Sequence, residues 1–199
     1  MPRRPPPERP EPPRPRLAER YLTQRLVLRP LEFEDAARVS RFTSDPAVAR
    51  MVGMIPLPHP RICAEGWIQI MKARAPLARD FPYAVELPGE GMIGCIGVHA
   101  RGEGERARLY ELGYWFGRPY WGEGFATEAA KRLAAAAQAL GQIIAGHYLD
   151  NPASGRVLEK AGFVDVGRIE KRFSLARAAK VETRIMALAA AAGEWRESA

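Results

Sequence analysis

Hydrophobic and polar positions change period several times along this chain. Alternation around Leu26, Leu28 and Pro30, within Thr23 to Leu31, predicts a first strand. From Glu32 to Thr43 the residues Phe33, Ala36, Ala37, Val39 and Phe42 recur at helical spacing and predict an amphipathic helix. Asp45 followed by Pro46 reads as the cap and first residue of a second, shorter helix. Pro56, Pro58 and Pro60 break the chain before a third helix, about Ile62 to Ala73, which carries Trp67, Ile68 and Met71. The period then falls to two. Strands at Tyr83 to Leu87, Met92 to His99 and Arg108 to Phe116, joined by turns at Pro88 to Gly91 and Arg101 to Glu105, predict an antiparallel meander. Helices over 125–140 and 152–161 alternate with strands at Gln142 to Leu149 and Phe163 to Arg168, and strands at Arg172 to Ala176 and Glu182 to Leu188 close the pattern. A strand, a crossover helix and a parallel strand make a right-handed βαβ unit.

The segment Arg118 to Leu133, RPYWGEGFATEAAKRL, joins the meander to that unit. Gly122 and Gly124 lack a Cβ, so their backbone can take positive φ and approach a ligand closely. From Phe125 the composition turns to Ala-rich helix formers, with Glu128 four residues before Arg132 as a favourable pair. A glycine turn opening a helix gathers unpaired N–H groups at the positive end of the dipole, which suits a phosphate. A dinucleotide fingerprint would need a glycine where Thr127 stands, and the Gly-Lys-Ser/Thr of a P-loop is absent.

What the turn resembles is the pyrophosphate loop of the GNAT acyl-CoA-dependent N-acyltransferases, Gln/Arg-x-x-Gly-x-Gly/Ala, with Gly122 and Gly124 at the two small positions. Pro119 occupies the Gln/Arg position, so any side-chain role there is lost or passes to Arg118. The string YWGEGFATEA is similar to the RimJ/RimL-type branch. So is DNPASGRVLEKAGF, Asp150 to Phe163, in which Asn151-Pro152 starts a helix and Gly162 stops it. The resemblance covers roughly Leu26 to Leu188. It implies an α+β GNAT fold, a mixed, mostly antiparallel sheet of six to seven strands with about four helices, splayed at the acyl-CoA site.

It also implies acetyl-CoA as acyl donor and an amine as acceptor, either a protein N-terminus or a small molecule. The cofactor-binding residues implied are Tyr114, Trp115, Phe116, Arg118, Tyr120, Trp121, Gly122, Glu123, Gly124, Phe125, Ala126, Thr127, Asn151 and Ser154. Backbone groups at Tyr114 to Phe116 would hold the pantetheine amides, Asn151 would bond the pantetheine arm, and Ser154 would lie near the sulfur. Asn151 can cap its helix at the same time, and Ser154 reads equally as a plain first-turn residue. Leu158 stands where many of these enzymes place a tyrosine acid, leaving Ser154, a water or no acid for the thiolate. Glu111 is the candidate base, with an outward-facing strand carboxylate as the alternative. Alternation puts Glu111, Gly113 and Trp115 on one face, and Tyr110, Leu112, Tyr114 and Phe116 on the other, without saying which meets the acceptor. His99 and His147 are possible relays or ordinary structural residues.

Composition narrows the alternatives. At 199 residues and 47% hydrophobic, one domain over 19–190 is expected, between tails at 1–18 and 191–199. Eight prolines make residues 1–18 an extended, disordered tail, either a plain solvated extension or a docking segment. The net charge is +7, of which the first 20 residues hold +3, and the rest is too diffuse for a nucleic-acid footprint. Cys63 and Cys95 are read as reduced apolar fillers, and the three histidines do not cluster, so no metal is expected. With no apolar run of about 20 residues and no signal-like N-terminus, a cytoplasmic location is expected, without a membrane partner. An exposed edge strand would permit a homodimer. Two other functions stay open: a CoA-binding sensor without turnover, and a ribosome- or RNA-associated module acting through the Arg/Pro tail.

Overall fold

A computed structural model describes residues 16–77, 79–101 and 109–189. The proline-rich segment 1–15, the core of the turn expected at Arg101 to Glu105 and the C-terminal tail lie outside the described residues. Of the expected N-terminal tail, Leu17 packs against the core and Ala18 is anchored, its N–H donating to Tyr21 Oη and its carbonyl accepting from Tyr83 Oη.

The elements are β1 (Tyr21–Leu22), β2 (Val27–Arg29), α1 (Ala36–Thr43), α2 (Pro46–Ala49), α3 (Arg61–Arg74), β3 (Asp80–Leu87), β4 (Gly91–Ala100), β5 (Leu109–Phe116), α4 (Phe125–Ala137), β6 (Gln142–Tyr148), α5 (Pro152–Lys160), β7 (Phe163–Ser174) and β8 (Ala179–Leu188). Among the described residues the strands form one sheet in the order β1-β2-β3-β4-β5-β6-β8-β7, eight rather than six to seven, with five α-helices rather than about four. Every pairing is antiparallel except β5 with β6, which is parallel and is crossed over by α4.

Helices cover both faces. Phe125, Ala129, Ala130, Leu133, Ala134 and Ala137 bury one side of α4 against the larger core, with Ile93, Ile96, Val98, Leu112 and Ile143 of the sheet. The spacing of four, one, three, one and three residues is the helical stripe that an Ala-rich segment needs to lie close to a sheet. On the opposite face Val39 and Phe42 of α1, Val48 of α2 and Ile68 and Met71 of α3 pack on Ala84, Met92, Cys95 and Trp115.

Five expectations need correction. The first strand is broken into β1 and β2, because Thr23 Oγ1 accepts from the Leu26 N–H and the Thr23 N–H donates to the Leu26 carbonyl, folding Thr23 to Leu26 into a turn. The helix expected from Glu32 begins as a 3-10 turn, Phe33–Asp35, and Phe33 and Ala37 are exposed rather than buried. Glu128 does not pair with Arg132; it binds Arg25, and Arg132 stacks on the Tyr21 ring. The strands expected on either side of residues 169–171 are one strand, β7, with a bulge between Asp165 and Arg168. Cys63 is exposed on α3, whereas Cys95 is buried and its thiol is pushed up to about 12 by desolvation.

Candidate active site

The parallel pairing of β5 with β6 runs only from Leu109↔Gln142 to Leu112↔Ala145. Beyond it β5 continues against β4, to Gly94↔Phe116, while β6 turns to β8, to Tyr148↔Thr183. The edge of β5 from Gly113 to Phe116 therefore has no strand on the side where β6 was, and the sheet splays there. Arg172 of β7 reaches back over this gap. One guanidinium nitrogen donates to Glu111 of β5, Nε donates to Glu170 at 2.9 Å, and Nη1 lies 2.9 Å from where a Cβ on Gly146 of β6 would sit. Only a residue without a side chain at 146 lets the guanidinium lie on the sheet. Burial pulls Arg172 down, but Glu111 and Glu170 outweigh it and hold the cation.

Past β5 the chain makes a 3-10 turn, Arg118–Tyr120, and reaches Gly122 at φ +86° and Gly124 at φ +79°, the latter capping α4. Both values suit glycine alone. The first helical bond is Glu128 N–H to the Gly124 carbonyl, so, among the described residues, the N–H groups from Gly122 to Thr127 have no protein acceptor. Six orphan donors at the start of a helix make a cradle for an anion.

A cavity of about 400 Å³ begins at this turn and passes through the splay. Its wall includes Phe125, Ala126 and Val157, which belong to the α4 side, and Val48, Val52 and Trp115, which belong to the α1–α3 side. Of the residues expected to bind cofactor, it brings together Tyr114, Trp115, Phe116, Tyr120, Trp121, Gly122, Gly124, Phe125, Ala126, Thr127, Asn151 and Ser154. Arg118 and Glu123 stay outside the lining. Arg118 Nε is 2.8 Å from Asp45 Oδ2, beside the cap of α2. The Glu123 side chain is exposed, while its carbonyl accepts from Arg25.

Asn151 caps α5 by accepting from the Ser154 N–H at 3.2 Å. Ser154 Oγ is 2.8 Å from Tyr114 Oη, which is also 3.2 Å from the Ser154 carbonyl. Desolvation raises the Tyr114 phenol and the Ser154 bond lowers it slightly, leaving it near 12. Tyr114 thus brings a hydroxyl to the cavity from the strand, while Leu158 on α5 is fully buried. Glu111 lies upstream of the cavity, where β5 and β6 are still paired, and each carboxylate oxygen faces an arginine, Arg172 on one and Arg101 at 3.3 Å on the other. Both oxygens of the proposed base are thus engaged by arginines, and Glu111 does not line the cavity. His99 bonds Asp80 at 2.9 Å, and His147 donates to the Tyr148 carbonyl at 3.0 Å; neither lines the cavity.

Sequence did not single out Ala153, Arg156, Val157 and Lys160 of α5; for Val48, Met51 and Val52, at and after α2, it gave only the stretch of about 43 to 75 as part of an acceptor pocket. The α5 set could have been found by continuing the helical period from Ala153. Nothing local marks the α2 set, which tertiary packing alone brings to the cavity.

Residues 25–164 match the family model described as an acetyltransferase (GNAT) domain. The chain belongs to the GNAT acetyltransferase family. It is 34% identical over 117 residues to the uncharacterized N-acetyltransferase p20 of Bacillus licheniformis, covering 58% of this chain and 64% of that one. It is 31% identical over 149 residues to the uncharacterized N-acetyltransferase YoaA of Bacillus subtilis, covering 73% and 82%. Among solved structures it resembles Mycobacterium smegmatis RimJ in complex with CoA-disulfide, at TM-score 0.69 and 25% identity, covering 81% of this chain and 80% of that one. The splayed α+β sheet is the GNAT fold, and its structural neighbours include RimJ/RimL-type acetyltransferases. Among the described residues, no helix is long and apolar enough to cross a membrane.

Proposed function

We propose that this GNAT protein transfers an acetyl group from acetyl-CoA to a primary amine by direct attack within a ternary complex. The observation that carries this reading is the single cavity running from unpartnered amides through the splayed strands to the opposite face. The residues fit the donor. The amides of Gly122 to Thr127 would hold its diphosphate, and the free edge of β5 at Gly113 to Phe116 would hold the pantetheine amides. A backbone N–H on that edge would polarise the thioester carbonyl. The RimJ structure with CoA-disulfide supports the same ligand class.

Catalysis here is mostly positioning, which can supply on the order of 7 kcal/mol or more. Ser154 would donate a proton to the departing thiolate, with Tyr114 as its hydrogen-bond partner. Two hydroxyls and one carbonyl share two protons there. When Tyr114 donates to Ser154 Oγ, the serine proton is free to face the cavity. An α-amine, with a pKa near 8, needs little help to lose its proton. That makes a protein N-terminus a suitable acceptor and a dedicated carboxylate base dispensable, in keeping with Glu111 being engaged by two arginines. Small-molecule amines of similar basicity are the other acceptor class.

Isothermal titration with acetyl-CoA tests the donor site; absence of binding at millimolar concentration would remove the proposal. Thiol release with a panel of peptides and small amines tests transfer. The occupied Glu111 carboxylate and Leu158 in place of a tyrosine favour a second reading, a CoA-binding sensor. Acetyl-CoA binding with no thiol release across a broad amine panel would select it.

A further inference from the structure

Arg25 sits on the hairpin between β1 and β2, yet nearly everything its side chain touches belongs to the turn before α4 or to the first turn of α4. Its backbone N–H donates to Glu128 Oε1 at 2.7 Å and its Nε to Glu128 Oε2 at 2.8 Å. Nη1 donates to the Glu123 carbonyl at 3.0 Å, and the guanidinium lies 4.4 Å from the Phe125 ring centroid. Thr23, from the same hairpin, donates to Glu128 Oε1 at 2.6 Å. These contacts leave one donor nitrogen over. Nη2 has no partner among the described residues and lies 3.5 Å from where a Cβ on Gly124 would project.

The turn itself offers no cationic side chain for an anion. Pro119 has none, and Arg118 is held by Asp45. Arg25 approaches from outside the cavity wall, and the planar guanidinium, anchored through Nε and Nη1, has its position fixed before any ligand arrives.

We propose that Arg25 is a side-chain cation of the diphosphate site, its Nη2 contacting a phosphate oxygen beside Gly124. This rests on the reading of Gly122 to Thr127 as the diphosphate cradle and adds to it a residue about a hundred positions away in sequence. The division of labour is physical. The amides supply fixed partial charges; Arg25 supplies a full charge and, through Glu128 and Glu123, holds the turn in the shape that presents those amides.

The test is a set of titrations on the full chain with CoA, with dephospho-CoA, which keeps the diphosphate, and with acetyl-pantetheine, which has no phosphate. Ligand-observed NMR reads the weakest of the three. Arg25→Ala should weaken CoA and dephospho-CoA on the order of tenfold and leave acetyl-pantetheine unchanged. It should also flatten the salt dependence of CoA binding. Arg25→Lys should restore part of the loss. Glu128→Gln, which keeps the cation but loosens its tether, should cost less than Arg25→Ala. Equal weakening of all three ligands, or Glu128→Gln matching Arg25→Ala, would make Arg25 a prop for the turn only and overturn the proposal. Should Arg25→Ala fail to fold, the lysine and Glu128→Gln variants still decide. Failure of the wild-type chain to bind CoA is a separate result, and it would remove the diphosphate reading itself.

Discussion

Tyr114 is buried enough for its phenol to reach about 12, so it stays protonated throughout the range in which an amine can act as nucleophile. Tyr114→Phe should therefore lower kcat on the order of tenfold or more while leaving acetyl-CoA affinity within about twofold. Ser154→Ala should do the same, and the double variant should be no worse than the poorer single one, because the two hydroxyls act as a unit. Wild-type turnover should show no decline on the basic side up to about pH 10. Steady-state kinetics over pH checks all three. At Gly124 the constraint is conformational. A Cβ would meet only Arg25, at 3.5 Å, but φ is +79°, where a β-branched residue is strained. Gly124→Val should weaken acetyl-CoA binding and also lower the melting temperature, so calorimetry of the free protein belongs beside the titration.

At the scale of elements, β5 and β7 are linked just before the splay by Glu111 and Arg172. Glu111→Gln removes the charge that offsets the burial of Arg172. If the pair sets the width of the gap, turnover should fall modestly, less than about tenfold, and keep the shape of its pH profile. Loss of the acidic limb of that profile would instead mark Glu111 as the base. The loop between α2 and α3 is pinned by a buried histidine. Thr43 Oγ1 donates to the Val39 carbonyl at 2.6 Å and so accepts from His59 Nδ1–H at 2.5 Å, while the His59 carbonyl accepts from Ser40 and Ser44. Burial pulls the His59 imidazole below its ordinary 6.5. The unfolded chain then binds a proton that the folded one refuses. This contribution is complete above about 6.5 and is lost as pH falls toward the folded value. Melting temperature should decline from about pH 6.5 to 5, above the carboxylate range, and His59→Asn should flatten that slope. These elements also show how far the sequence could be read. The stripe Phe125, Ala129, Leu133 and the Asn151-Pro152 start mark α4 and α5 directly, because their burial follows their own period. Residues 163–174 misled, because Gly167 at φ +73° and five charged side chains hide one bulged strand behind the pattern of two. The role of Arg25 and the capture of Glu111 by Arg172 were invisible, since each depends on which strands become neighbours.

The whole molecule is a sheet clad by helices on both faces, with a passage where two parallel strands part company. Filling that passage should tie both layers together. Acetyl-CoA at about a hundred times its dissociation constant adds roughly 2.7 kcal/mol to stability, a rise on the order of 5–10 °C in melting temperature. The shift should shrink sharply in Gly124→Val, which thermal scanning with and without ligand would reveal. The strand order has a consequence of another kind. β8 lies between β6 and β7 although it follows both in the chain. A polypeptide emerging N-terminus first thus exposes Ile144 and Ala145 along an unmatched border until residues 179–188 arrive to zip it shut. Nascent chains stalled before that point should be the ones that chaperones bind and that clump.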